Sequence, residues 1–377
     1  MTTSGAVRAR RAVVSTGLVL AVLGLLLREL SLCCVGVGVV GVALGSAWPR
    51  LRALGWVGGL VLTLGLAEGA LQLRAPAPSF WMDWPDDFFI RGGELGRLGR
   101  PGVHAHAKGV AGGEAFFDVR YTIADDGFRV TPGPEGPARV RVLGCSNAFG
   151  WGLDDDATLA ARLAEGLGVP VANDALPGWG VHEPLVLLTE SPSPAGTVHV
   201  LLTAAWHASR AGCRYHWSLG APRFRLSESG EVLRDGRCGV PGSTTRVGGV
   251  LARSQVAEAL REAAMVWGQA RDLERYLALV EAIAARVRAS EGRLVVAYMR
   301  TTEGYFRDPG DSDDAILQAL AQVADEVVDV TLAPRIEVLP ERYRLHALDR
   351  HPSAEANRRR AELLAPAVRR ALEPAEP

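Results

Sequence analysis

Two hydrophobic patterns divide this chain. Up to residue 75 the apolar positions run on almost unbroken, over 12–27, 30–48 and 53–73, with breaks at Arg28-Glu29 and at Pro49-Arg50-Leu51-Arg52. A membrane-crossing helix needs about 20 apolar residues, and a charged pair is costly in mid-bilayer. The pattern therefore predicts three transmembrane helices with a turn at 28–29. From residue 139 short apolar runs alternate with amphipathic stretches. Strands are expected at 139–144, 169–173, 197–204, 293–298 and 326–330, and helices at 155–167, 182–190, 252–290, 314–323 and 353–372. Continuous apolar strands alternating with helices imply a parallel sheet covered on both faces. In such sheets the chemistry gathers at the carboxyl ends of the strands.

Between these parts lies a turn-rich lead-in. It opens on a proline-containing linker, Ala75–Ser79, and holds one strand pattern, Phe117–Ile123, followed by Asp125-Asp126-Gly127 as a turn. The expected organisation is a membrane anchor over 1–75, a linker and β-containing lead-in over 76–138, and an α/β domain over 139–373. Arg8, Arg10 and Arg11 precede the first apolar run, and Arg50 and Arg52 follow the second. With three spans these arginines face the cytoplasm and the α/β domain lies outside it. Gly36-Val37-Gly38-Val39-Val40-Gly41 spells G-x-G-x-x-G, but it lies inside an apolar run with no acidic residue about 20 positions on. Gly41 and Gly45 read instead as a small-residue face for helix packing.

Composition narrows the function. A net charge of −1, from 41 basic and 42 acidic residues, gives no footprint for nucleic acid. Lys108 is the only lysine, and arginine supplies the other basic residues. The five cysteines show no zinc spacing, so neither a metal nor a cofactor is expected. Cys213 and Cys238 bracket a loop-rich segment and are expected to pair if that part is in an oxidising compartment. His104 and His106 lie in a glycine-rich stretch and read as solvated.

Candidate chemistry lies at the predicted strand ends. The first strand runs into Gly144-Cys145-Ser146, which presents a serine at its carboxyl end. Asn173–Gly180 (NDALPGWG) follows the second strand, with Gly178 free to bring its N–H close to a ligand. Thr203–Arg210 (TAAWHASR) follows the third, with His207 and Arg210 three residues apart. Leu348–Ser353 (LDRHPS) precedes the last helix, with Pro352 near its first turn. A nucleophilic serine needs a base, a carboxylate that orients the base, and donors for the oxyanion. Ser146, His351 and Asp349 can fill the first three roles. The Ser146 and Gly178 N–H groups can fill the last, with Asn173, His207 and Arg210 as further oxyanion or binding candidates.

These segments carry a resemblance. From about residue 115 to 372 the chain resembles the SGNH/GDSL hydrolase superfamily, most of all its membrane-anchored bacterial members and more distantly the alginate O-acetylation proteins. VLGCSNAFGWGLDDDATLAARLAEGLG is similar to the first family block, with Cys145 where the family often has aspartate. NDALPGWG is similar to the second block and DRHPSAEANR to the last. The third block's usual asparagine is missing, and His207 and Arg210 stand in that neighbourhood. The final pair is spaced Asp349-x-His351, which also occurs in the alginate-type relatives, and not the family's commoner Asp-x-x-His. The resemblance implies a flavodoxin-like three-layer α/β/α domain, Ser146 as nucleophile and oxyanion donor, Gly178 as second donor, His351 as base and Asp349 as its partner.

The expectation is a membrane-anchored serine esterase of the bacterial cytoplasmic membrane, its α/β domain extracytoplasmic. The substrate class it implies is an ester, with an O-acetylated surface glycan suggested by resemblance alone. There are two rivals: an acyltransferase that uses the same residues to pass the acyl group to a sugar hydroxyl, and, from another class, an inactive scaffold or glycan-binding module that kept the fold.

Overall fold

The computed structural model describes residues 12–22, 30–72, 79–215, 218, 220–239, 269–301, 305–306, 311–334 and 338–373. Contacts divide the chain into two compact units, with one boundary falling between Pro78 and Ser79.

The first unit holds helices Ala12–Val22, Leu30–Ala47 and Arg52–Gln72. Glycine faces hold them together. A Cβ on Gly45 would lie 2.3 Å from the Gly55 Cα, and one on Gly41 would lie 2.8 Å from the Gly58 Cα. Gly36 closes on Gly17 and Ala21 in the same way. Close backbone approach through small residues is how helices associate where lipid offers no hydrophobic drive. Among the described residues one helix, over Arg52–Ala70, is long and apolar enough to cross a membrane, while Ala12–Val22 and Cys33–Ser46 are shorter apolar stretches. Three spans were expected; residues 23–27 of the first lie outside the described residues, and a 3-10 turn at Pro49–Leu51 follows the second.

The second unit is built on a five-stranded sheet of β6 (Val140–Gly144), β7 (Val171–Ala175), β8 (Val198–Thr203), β11 (Arg293–Tyr298) and β12 (Glu326–Asp329). All pairings are parallel, and the order across the sheet is β7-β6-β8-β11-β12. Numbered along the chain, that is the 2-1-3-4-5 order of flavodoxin-like folds. The five strands fall within two residues of the expected positions. Burial explains why they were easy to read: every residue of β8, and all but the first of β11, is buried. Helices Leu159–Leu167 and Ala354–Leu372 pack together on one face, and His182–Glu190, Gln269–Ala289 and Asp313–Val323 cover the other. Of the helix expected over 252–290, the part at 252–268 lies outside the described residues.

Helix starts are set by side-chain oxygens. Thr158, Ser312 and Ser353 each accept a hydrogen bond from the backbone N–H three residues on, which satisfies one of the N–H groups a helix start leaves open. Ser353 is thus the cap of the last helix. Pro352 lies before it, at the end of β14 (Asp349–Pro352), and not in its first turn.

The lead-in is more ordered than its sequence shows. It contributes β1 (Phe80–Asp83), β2 (Phe89–Arg91), β3 (Arg97–Gly99), β4 (Gly102–Val110) and β5 (Ala115–Ile123), with β1, β4 and β5 forming an antiparallel sheet. His104 and His106 therefore lie in a strand, on one face of β4. His106 is fully buried and bonded to Tyr121, which corrects the reading of it as solvated. Arg129 bridges β5 and β7 and ties the lead-in to the central sheet. A small hairpin, β9 (Pro222–Leu226) and β10 (Val232–Arg237), was also unread. Next to it Cys213 and Cys238 are joined, with their Cα atoms 5.3 Å apart.

Candidate active site

Ser146 opens a short helical turn, Ser146–Phe149, two residues beyond the end of β6. Gly144 makes this exit possible. Its φ is +148°, and a Cβ there would meet the Leu202 carbonyl oxygen at 2.7 Å. The serine thus sits at the gap between β6 and β8, where the strand order reverses and ligands bind in such sheets.

His351 and Asp349 arrive on β14, paired with β13 (Arg344–His346) in a hairpin just before the last helix. His351 Nε2 lies 2.9 Å from Ser146 Oγ, and its Nδ1 lies 2.6 Å from Asp349 Oδ1. The backbone N–H of His351 donates to the same carboxylate oxygen at 3.2 Å. A carboxylate can only accept, so in the neutral ring Nδ1 carries the proton and Nε2 accepts from the serine hydroxyl. Asp349 is 2% exposed at its side chain, and Lys108 donates to its other oxygen, Oδ2, at 2.8 Å. Burial alone would raise this carboxyl. The hydrogen bonds and charges of His351 and Lys108 outweigh it and hold Asp349 well below the usual carboxylate range.

An aromatic cluster backs the imidazole. The Trp151 ring stacks on His351 with centroids 5.7 Å apart and packs in turn on His106 and Trp84. Tyr121 accepts the Gly152 N–H at 2.7 Å and also bonds His106. Burial, helped by the nearby Lys108 charge, pushes His106 down to about 3, so its ring is neutral. Arg129 clamps the loop after the serine turn. It donates to the carbonyls of Phe149, Gly150 and Leu153 and to Asp155.

The remaining candidate residues occupy different layers. Gly178 lies in the loop after β7, with φ +81°. Asn173, in β7, is buried, and its amide nitrogen faces the carbonyls of Ala148 and Phe149 at 3.4 and 3.3 Å. It braces the serine turn from behind. His207 is fully buried, bonded through Nδ1 to Thr203 Oγ1 at 2.9 Å, and its ring faces the Cys145 thiol. Burial lowers its affinity for a proton despite the opposing pull of Cys145. Arg210 donates to the Trp179 carbonyl and so holds the Gly178 loop. Cys145 is itself buried, and Asn147 Nδ2 lies 3.6 Å from its sulfur. His207, Arg210 and Asn173 thus support the floor of the site, while Ser146, His351 and Asp349 form one hydrogen-bonded line.

Lys108, Trp151 and Arg129 were not singled out in the sequence. Lys108 left one signal, its solitude among the basic residues. Trp151 stood inside the serine segment and offered nothing to separate it from an ordinary packing residue.

No family model matches the chain, and no curated protein matches it. Among solved structures it is similar to a protein described as lipolytic, of the G-D-S-L family, from Desulfitobacterium hafniense, at 12% identity and TM-score 0.33, covering 60% of this chain and 97% of that one. It is similar to a carbohydrate esterase family 2 enzyme with a carbohydrate binding domain from Corynascus thermopiles, at 14% identity and TM-score 0.34, covering 71% and 73%. It is also similar to an acetyl xylan esterase from Butyrivibrio proteoclasticus, at 12% identity and TM-score 0.35, covering 66% and 67%.

Proposed function

We propose that this chain is a serine ester hydrolase, held at a membrane by its N-terminal helices with the second unit outside the cytoplasm. The observation that carries the reading is the line from Ser146 Oγ through His351 to Asp349 at the reversal point of the sheet. Ser146 Oγ attacks the ester carbonyl while His351 Nε2 takes its proton. Asp349 stabilises the imidazolium that results. The Ser146 and Gly178 N–H groups are the donors assigned to the oxyanion. The tetrahedral adduct collapses to an acyl-serine, and His351 returns the proton to the leaving alcohol. Water then attacks the acyl-serine, its proton going to His351 and then back to Ser146.

An O-acylated carbohydrate is the proposed substrate. The support is the resemblance of the sequence blocks. Acyl transfer would use the same acyl-serine with a sugar hydroxyl in place of water.

The test is labelling of the full-length protein with a fluorophosphonate probe, the site being mapped by mass spectrometry. Label on Ser146 that is lost in His351→Ala is the expected result. A folded protein that takes no label would return the chain to the scaffold reading. Incubating the labelling-competent enzyme with an acetyl ester and an oligosaccharide then separates release of acetate from transfer.

A further inference from the structure

We propose that Lys108 is a positioning residue of this site, its ammonium holding Asp349 in the orientation that serves His351. The inference rests on the esterase reading above and adds a fourth member to its line, from a part of the chain read only as a lead-in.

Asp349 has two carboxylate oxygens to satisfy in a nearly dry place. Oδ1 serves the Nδ1 and backbone N–H of His351. Oδ2 has Lys108 as its one hydrogen-bond partner among the described residues. Removing that partner leaves a buried acceptor without a donor and the carboxylate held through Oδ1 alone, which is costly. The ammonium is itself held. It sits 5.5 Å from the centroid of the Phe80 ring and 5.7 Å from that of Phe116, within cation–π range of both. Phe116 stacks on His346 of the hairpin that carries the triad, with centroids 4.0 Å apart. The lead-in sheet is thus fastened to the catalytic hairpin by a charge and by a ring stack. Arginine fills the other basic positions of the chain, and the one lysine stands here. An ammonium is a compact point charge and a guanidinium a planar fork, so the two are not interchangeable between two rings and a carboxylate.

Other titratable groups face Asp349. His106, on the same strand as Lys108, is neutral, and Tyr121 on β5 is held protonated by burial. Lys108 and His351 therefore set the local charge. Lys108 keeps the carboxylate ionised and aimed at His351. Loss of Lys108 should therefore loosen the Asp349–His351 pair and lower the rate at which Ser146 is activated.

The experiment uses full-length parent, Lys108→Met and Lys108→Arg proteins and reads two quantities. One is the rate of fluorophosphonate labelling at Ser146. The other is the low-field proton resonance of the His351 Nδ1–H, which reports its hydrogen bond to Asp349 whether or not the serine is active. Expected for Lys108→Met is a labelling rate lower by about tenfold or more and a resonance that is lost or moved from its parental position. Lys108→Arg, which keeps a charged donor for Asp349 Oδ2, should retain the resonance and part of the rate. An unchanged resonance in Lys108→Met would overturn the proposal, whatever happened to the rate. A changed resonance with no serine label in the parent would keep the Lys108 assignment and remove the esterase reading.

Discussion

Ser146 Oγ and His351 Nε2 stand 2.9 Å apart across 205 residues of chain. Neither residue's local sequence requires the other. The contact exists because β6 delivers the serine to the carboxyl edge of the sheet and the last hairpin lays the histidine over it. The distance suits transfer of the hydroxyl proton without rearrangement.

Asp349→Asn should be far more damaging than its size suggests. An amide can present its NH2 to Nδ1, which forces the proton onto Nε2 and removes the acceptor that Ser146 needs. A loss of roughly three to four orders of magnitude in kcat is expected by analogy with other triads. Ester turnover in the variant, with circular dichroism to verify folding, measures it.

Trp151 tests whether the aromatic backing aligns the base. An aromatic pair contributes about 0.5–1.5 kcal/mol beyond its buried area, so Trp151→Ala should slow labelling of Ser146 by roughly tenfold or less. Trp151→Phe keeps a ring against His351 and should retain most of the rate. Equal losses in both variants would argue for a role of the indole N–H instead of the stack.

Arg129 is a stability residue. Its side chain is fully buried, and it meets three carbonyls and Asp155. Arg129→Met leaves these acceptors without a donor and should cost about 3–5 kcal/mol. Denaturant unfolding followed by tryptophan fluorescence gives the value, and serine labelling should fall with the folded fraction.

Acid should weaken the fold before carboxylates titrate. Burial lowers His106 to about 3 and His199 to about 4, against 6.5 for an ordinary imidazole. Between pH 6.5 and those values the unfolded chain binds protons that the folded chain refuses. Their contribution is complete above pH 6.5 and is lost progressively as pH falls through that window. The thermal midpoint should therefore drop between pH 6.5 and 5, where Asp and Glu are still largely ionised. His199→Gln should flatten that part of the profile.

The sheet was legible because its strands are buried on both sides and read as unbroken apolar runs, as in Val198–Thr203. The serine and the Asp349–His351 pair were legible because their chemistry is bound to strand ends. The lead-in was not. In β4 the buried positions are His106 and Gly109, neither of them an apolar side chain, so no hydrophobic period marks the strand. Asn173 and His207 looked like binding residues because polar side chains at strand ends usually face the ligand. Here each is consumed by a neighbour behind the site: the Ala148 and Phe149 carbonyls for one, Thr203 and Cys145 for the other.

The order of residues along the chain has a consequence for biogenesis. Synthesis delivers Lys108 first, then Ser146, and only after the other four strands of the central sheet and the long helix does it deliver Asp349 and His351. Domains fold from the N-terminal side as they emerge, yet here the serine has no base until the final hairpin docks. On the esterase reading the nascent protein is chemically silent for most of its production. The activated serine is then assembled in the same step that completes the fold, and a truncated or stalled chain carries the serine without the base beside it.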